Sequence, residues 1–278
     1  MMRIAIFQGP AKPGEVSSNL GLLEAQAAAA AEAGARLLIC PEMFTTGYNI
    51  GGARARELAE PADGPSMRRA AEIARQSGIA LLYGYPECAP ESGVYNAALL
   101  IDRNGRTLAN ARKCHLYGEI DRGMFTPGPG GFASADLDGL RIGILICYDV
   151  EFPETVRTLA LAGVELVAVP TALMRPFEIV TRAVVPARAY ENQVFLAYAN
   201  RTGSEGEQTY VGESRVVAPD GADLAVAGPG EELIVAPIEI ERLRASRAIN
   251  THLENRRLEL YRSILEAPAQ HEREGGQR

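Results

Sequence analysis

The chain is 278 residues long, with 47% hydrophobic residues, 23% charged residues and a net charge of −7. That length suits one large α/β domain or two small ones, and an acidic balance without a basic cluster argues against nucleic acid or an anionic membrane as a partner. No apolar run approaches the ~20 residues needed to cross a bilayer, and the four cysteines (Cys40, Cys88, Cys114 and Cys147) lack zinc or C-x-x-C spacing, which points to reduced thiols in the cytoplasm.

The first residues, M-M-R-I-A-I-F-Q, lack a signal-peptide layout and predict a strand over 2–8. The alanine-rich stretch from Val16 to Ala33, opened by Ser17 and Ser18 and closed by Gly34, predicts a helix. Leu37 to Cys40 reads as a buried strand ending at Pro41-Glu42. The polar, glycine-rich connection M-F-T-T-G-Y-N-I-G-G that follows has the character of a functional loop. A helix over Pro65–Ser77 and a strand over Ile79–Tyr85 come next. Val94–Asp102 and Arg106–Arg112 then form two extended runs across Asn104-Gly105, a strong hairpin signal.

After a loop from Lys113 to Ala133, the second half repeats the first. R-I-A-I (3–6) returns as R-I-G-I (141–144), and A-G-A-R-L-L-I-C-P-E (33–42) as A-G-V-E-L-V-A-V-P-T (162–171). After a helix over 178–192, a strand over Gln193–Asn200 echoes the third strand, and Asp220-Gly221 echoes the hairpin. Each half reads β-α-β-α-β plus a hairpin, with helices on one outer face and an inner face that needs burial. Packing the two sheets face to face gives a four-layer α-β-β-α sandwich, a single domain over residues 1–267. A last helix over 254–265 is placed to pack on a neighbouring subunit, and the polar tail 268–278 is expected to be disordered.

Open α/β sheets carry their chemistry at the carboxyl ends of strands. Cys147 ends the buried run Ile142–Ile146, just before a helix entry at Phe152-Pro153-Glu154, where the helix's positive end can lower a thiol's pKa. A cysteine in an apolar run can equally be core packing, so partners are needed. Glu42 ends the second strand; Pro41 fixes its backbone, and desolvation can raise its pKa toward that of a useful base. Lys113 ends a hairpin strand. His115 could pair with a cysteine, but it reads better as a structural hydrogen-bonding residue; His252 and His271, the other histidines, lie near the C-terminus.

Together, P-E-M-F-T-T-G-Y at 41–48, R-K-C-H-L-Y-G-E-I-D at 112–121 and G-I-L-I-C-Y-D-V-E-F-P-E at 143–154 resemble the nitrilase superfamily of carbon–nitrogen hydrolases, over nearly the whole chain to about residue 240. The resemblance implies a Glu42–Lys113–Cys147 triad with no metal or organic cofactor, and the same α-β-β-α sandwich. Cys147 is then the nucleophile forming a thioester, Glu42 the general base and acid, and Lys113 the oxyanion partner with the backbone N–H of Tyr148. Glu119 matches a further family glutamate that orients triad and substrate. P-E-M-F-T-T-G-Y-N-I-G, Y-G-Y-P-E at 83–87 and R-A-Y-E-N-Q at 188–193 are similar to short-chain aliphatic amidases of the 5-aminopentanamidase kind.

Family members acting on nitriles commonly carry Cys-Trp-Glu, whereas this chain has Cys147-Tyr148-Asp149 and no tryptophan, which favours an amide. An N-carbamoyl amine such as N-carbamoylputrescine is the nearest rival substrate, and a catalytically silent binding protein on the same fold is the rival of another class. An ω-amino substrate needs an anionic partner; Glu178 and the 43–51 loop with Tyr48 are the candidates, although Glu178 also reads as a helix-start carboxylate. The resemblance further implies a homodimer or larger homo-oligomer.

Overall fold

The computed structural model describes residues 1–266, so the tail 268–278 lies outside the described residues. Two six-stranded sheets form the centre of the molecule. The first contains β1 (Met2–Gln8), β2 (Leu37–Ile39), β3 (Ala80–Cys88), β4 (Val94–Ile101) and β5 (Thr107–Arg112). The second contains β6 (Ser134–Leu137), β7 (Leu140–Ile144), β8 (Leu166–Pro170) and β9 (Phe195–Ala199), followed, after a small ribbon of β10 (Ser204–Glu205) and β11 (Gln208–Thr209), by β12 (Arg215–Val217) and β13 (Asp223–Val226). Within each half, three parallel strands run into an antiparallel hairpin, as the internal repeat predicts.

Strand alternation sorts the side chains into layers. Ile4, Ile6, Leu37, Ile39, Leu82 and Leu100 of the first sheet meet Ile142, Ile144, Leu166, Ala168, Phe195 and Ala197 of the second in one core. The outward residues Ala5, Phe7, Leu38 and Leu81 pack under the helices α1 (Val16–Glu32) and, beyond the short α2 (Gly52–Leu58), α3 (Pro65–Ser77). On the other side, beyond the single turn α4 (Gly118–Arg122), Val167, Val169, Leu196 and Tyr198 pack under α5 (Pro153–Leu161) and α6 (Val185–Asn192). The result is the α-β-β-α sandwich. Because both faces of the central strands are buried, these strands carry continuous apolar runs rather than alternating ones.

Two edge strands depart from the sequence reading. β14 (Glu232–Ile238) crosses back from the second half to pair antiparallel with β1 over its whole length, and β6 pairs with β7 just after the expected loop, where no element was expected. Each caps a sheet edge that would otherwise present unpaired backbone. The expected helix over 254–265 is also displaced. The long helical segment is α7 (Ile240–Ile249), and after it the chain makes turns, a 3₁₀ turn at Leu258–Leu260 and a one-turn α8 (Arg262–Glu266). Leu258, Leu260 and Ile264 remain more than half exposed. The stretch has good helix formers but no apolar surface of its own protomer to lie on, and a helix of that length is marginal without one.

Candidate active site

Cys147 opens a one-turn 3₁₀ helix, Cys147–Glu151, directly after the buried strand β7 and Leu145-Ile146. Its φ is +48°, the left-handed region that side chains avoid, at a cost of about 1–3 kcal/mol. Ile146 and Val150 on either side are fully buried and hold this elbow in place. Strain of this kind, between a strand end and a helix start, presents a nucleophile at the sheet edge.

Glu42 arrives from the facing sheet. It follows β2, its N–H reaches the carbonyl of Thr171 at 3.4 Å, and its side chain is fully buried. The next residue, Met43, has φ +49°, which turns the loop at once. That loop lies directly over β3 at Gly84, where a Cβ would stand 2.3 Å from the Met43 nitrogen and 2.8 Å from the Glu42 carbonyl carbon. No larger residue fits under the Glu42 backbone. From the other side, Arg201, fully buried, donates to the carbonyls of Glu42 and Met43 at 2.8 and 2.6 Å. Glu205 faces Arg201 at 3.3 Å and accepts the N–H groups of Tyr48 and Asn49, so one buried ion pair pins the whole 42–49 loop.

Lys113 follows β5, its N–H bound to Asn96 of β4 at 2.8 Å. Its Nζ lies 2.8 Å from Glu42 Oε1 and 2.8 Å from Asp121 Oδ2, with all three side chains fully buried. Burial works against the ammonium, but the negative charge of Glu42 and Asp121 outweighs it and holds the amine well above the usual lysine range. Asn96 Nδ2 donates to Glu42 Oε1 at 2.6 Å. Glu42 Oε1 is therefore doubly bound, while Glu42 Oε2, equally buried, has no hydrogen-bond partner among the described residues. Burial pushes the Glu42 carboxyl above its ordinary range, against the pull of Lys113.

The Cys147 thiol differs from expectation. Burial, followed by the charge of Glu42, pushes its pKa up, outweighing Lys113 and hydrogen bonds from Thr171 and the Ala172 amide. The helix end therefore does not make a thiolate here. A half-buried thiol beside an anion rests protonated and needs a base.

Of the remaining sequence candidates, Glu119 is corrected: its carboxylate is 92% exposed and pairs with Arg122 on α4, and the carboxylate that reaches Lys113 is Asp121, one half-turn further on. Tyr48 is 1% exposed, and its hydroxyl donates to Asp121 Oδ1 at 2.7 Å with its ring 5.8 Å below Lys113 Nζ, so it supports the cation from behind. Glu178 pairs with Arg175 at 2.8 Å, which neutralises it. Tyr148 follows Cys147 and its ring packs edge-on to Tyr117 at 5.3 Å. His115 is structural: Nδ1 shares a 2.8 Å hydrogen bond with Asp149 Oδ1 and its ring stacks on Phe152 at 3.9 Å. The same Asp149 carboxylate accepts the N–H groups of Cys114, His115 and Ile146, tying the Lys113 loop to the Cys147 elbow.

Sequence reading passed over Asn96, Asp121, Thr171 and Arg201. Asp121 had a signal, lying within R-K-C-H-L-Y-G-E-I-D; Asn96, inside an apolar strand run, had a weaker one, since a buried amide needs a partner. The assembled groups are a protonated thiol, a buried carboxylate with one free oxygen and a fixed ammonium. That set suits acyl transfer through a covalent intermediate.

Comparison with known proteins agrees in kind. The family model described as carbon-nitrogen hydrolase matches residues 3–248. A protein of Pseudomonas protegens named "Hydrolase in pqqF 5'region" is 48% identical over 94% of this chain and 90% of its own length. An (R)-stereoselective amidase from a Pseudomonas species is 35% identical, with 96% of each chain covered. A solved amidase from Nesterenkonia sp. AN1, in a mutant form showing Michael addition of acrylamide at its active site cysteine, superposes with a TM-score of 0.81 at 36% identity, covering 95% of this chain and 100% of that one.

Proposed function

The chain belongs to the carbon-nitrogen hydrolase family and hydrolyses amides, and on that premise we propose that Glu42, Lys113 and Cys147 are its catalytic triad and that its substrates are small aliphatic amides with an ω-amino group, such as 5-aminopentanamide. The observation that carries the triad is the partnerless Glu42 Oε2, a buried acceptor whose sister oxygen is already held by Lys113 and Asn96. A buried carboxylate oxygen without a hydrogen bond is costly unless something passes a proton to it.

In the first half-reaction the Cys147 thiol gives its proton to Glu42 as Sγ attacks the amide carbonyl, forming the C–S bond. The oxyanion is met by Lys113 Nζ and the backbone N–H of Tyr148. As the C–N bond breaks, Glu42 returns the proton to the nitrogen and ammonia leaves, with the acyl group held as a thioester. Water then attacks the thioester while Glu42 takes its proton, and the collapse of the second tetrahedral intermediate releases the carboxylate and restores the thiol. Asp121 keeps Lys113 charged through both halves.

No step calls for a metal. An ammonia-release panel of 5-aminopentanamide, plain aliphatic amides, N-carbamoylputrescine and a nitrile, run with and without EDTA, tests the substrate class. The expected order places the amides first, with rates indifferent to the chelator. N-carbamoylputrescine as the fastest substrate would replace the amide reading with its nearest rival.

Four free cysteines fit work in a reducing compartment such as the cytoplasm, and among the described residues no helix is long and apolar enough to cross a membrane. Self-association is supported by Leu161 of α5 and Tyr190 of α6, which stand half exposed on the outer helical layer, and by the uncovered Leu258, Leu260 and Ile264. Light scattering is expected to give at least twice the 29.8 kDa chain mass; a monomer at micromolar concentration would remove the proposal.

A further inference from the structure

One acidic side chain beside the triad has no part in this chemistry. Glu151 ends the 3₁₀ turn that Cys147 begins and is half-buried. Arg188 Nη2 holds its backbone carbonyl at 2.7 Å, but among the described residues its carboxylate has no hydrogen bond or ion pair. The nearby cation is spoken for: Arg188 directs Nη1 to Glu191 at 2.8 Å and its other nitrogens to the carbonyls of Val150 and Glu151. Burial pushes the Glu151 carboxyl above its ordinary range, with Lys113 and Arg188 pulling it down.

Glu151 stands three residues after Tyr148 in the same 3₁₀ turn, so the two side chains lie on one face of it. Beside that geometry, the charge of Glu151 adds to burial in pushing the Tyr117 phenol up. Tyr117 belongs to an aromatic rim, with its ring 5.3 Å from Tyr148 and 5.9 Å from Phe177, and Tyr148 is 5.0 Å from Phe152.

We infer that Glu151, with the faces of Tyr117 and Tyr148, is the subsite that holds the cationic end of an ω-amino amide while Cys147 attacks the other end. An unpaired carboxylate beside aromatic faces is the chemistry that recognises an ammonium, through an ion pair and cation–π attraction. Glu178 does not compete, since Arg175 already neutralises it. A bound ammonium also supplies the counter-charge that half-buried Glu151 lacks. The inference rests on the amide reading above and names what in the chain selects among amides.

The test compares 5-aminopentanamide with hexanamide, which puts a methyl where the ammonium stands. The wild-type enzyme is expected to favour the amine by about tenfold to a hundredfold in kcat/KM, the size of one charged hydrogen bond. In Glu151→Gln that ratio should fall toward one, and Glu151→Lys should reverse it in favour of glutaramate, which carries a carboxylate at the same end. A ratio unchanged in Glu151→Gln overturns the inference, whatever happens to the absolute rates. A second readout does not depend on turnover: calorimetric binding of 5-aminopentanamide to Cys147→Ala, against Cys147→Ala/Glu151→Gln. Binding lost only in the double variant supports the subsite even if the triad reading fails; equal binding by both, or none by either, overturns it.

Discussion

Replacing Cys147 by alanine is expected to abolish ammonia release, lowering kcat by on the order of 10⁵–10⁶-fold, as removal of the nucleophile does in other enzymes with a covalent intermediate. Every other group in the site is then left in place with nothing to act on. Lys113 still lies 2.8 Å from both Glu42 and Asp121, and Asn96 still holds Glu42. The fold is expected to survive, because alanine at φ +48° bears the same backbone strain as cysteine and removes a single sulfur at the sheet edge. Melting temperature and ammonia release on the same preparation separate the two effects. Turnover within a hundredfold of wild type would show that the nucleophile lies elsewhere, and a silent scaffold would show no activity to lose.

Glu42→Gln is the second large effect, with a loss of about 10²–10⁴-fold in kcat, the range for a general acid–base group. The structure requires the base because the thiol rests protonated: burial and the Glu42 charge both push the Cys147 pKa up. The sign with pH follows. Glu42 accepts a proton only when ionised, and burial raises its pKa above the usual carboxylate range. The acidic limb of kcat/KM should therefore lie above that range, with activity rising as pH rises through it, and Glu42→Gln should lack this limb. Alkylation of Cys147 by iodoacetamide should respond in the opposite direction. Removing the carboxylate removes an anion from beside the thiol, so the midpoint of alkylation should move to lower pH while hydrolysis is lost. A variant in which hydrolysis and alkylation fall together at every pH would make Glu42 a structural residue rather than the base.

Much of this was legible in the chain because a duplicated pattern leaves few arrangements open. Two βαβαβ units with apolar strands have inner faces that only each other can cover, and the shared core of Ile4, Ile6, Ile142 and Ile144 is that solution. The proposed triad was legible through the resemblance that three motifs carry, each member also lying at a strand end. The edge strands were not. β6 spans only four residues, and the seven-residue β14 contains Pro237 and pairs with a strand more than two hundred residues away, so neither was marked by its own stretch of chain.

The residues read wrongly share a cause. Glu119 and Asp121 are two carboxylates in one short stretch, and choosing between them depends on which way the single turn of α4 faces, which packing around Tyr48 and Phe125 decides. Whether Cys147 rests as thiol or thiolate was equally beyond local reading: the helix end favours the anion, while the depth of the elbow and the charge of Glu42, brought from the facing sheet, oppose it and prevail. Periodicity and internal repetition were enough to read the two-sheet frame, and three short motifs were enough to mark the family and the three side chains proposed to react. The charge each group carries, the carboxylate that supports Lys113 and the orphaned oxygen proposed to receive the proton emerged from the folded chain. Burial and cross-sheet neighbours set those properties, and both come into being only when the two halves close on each other.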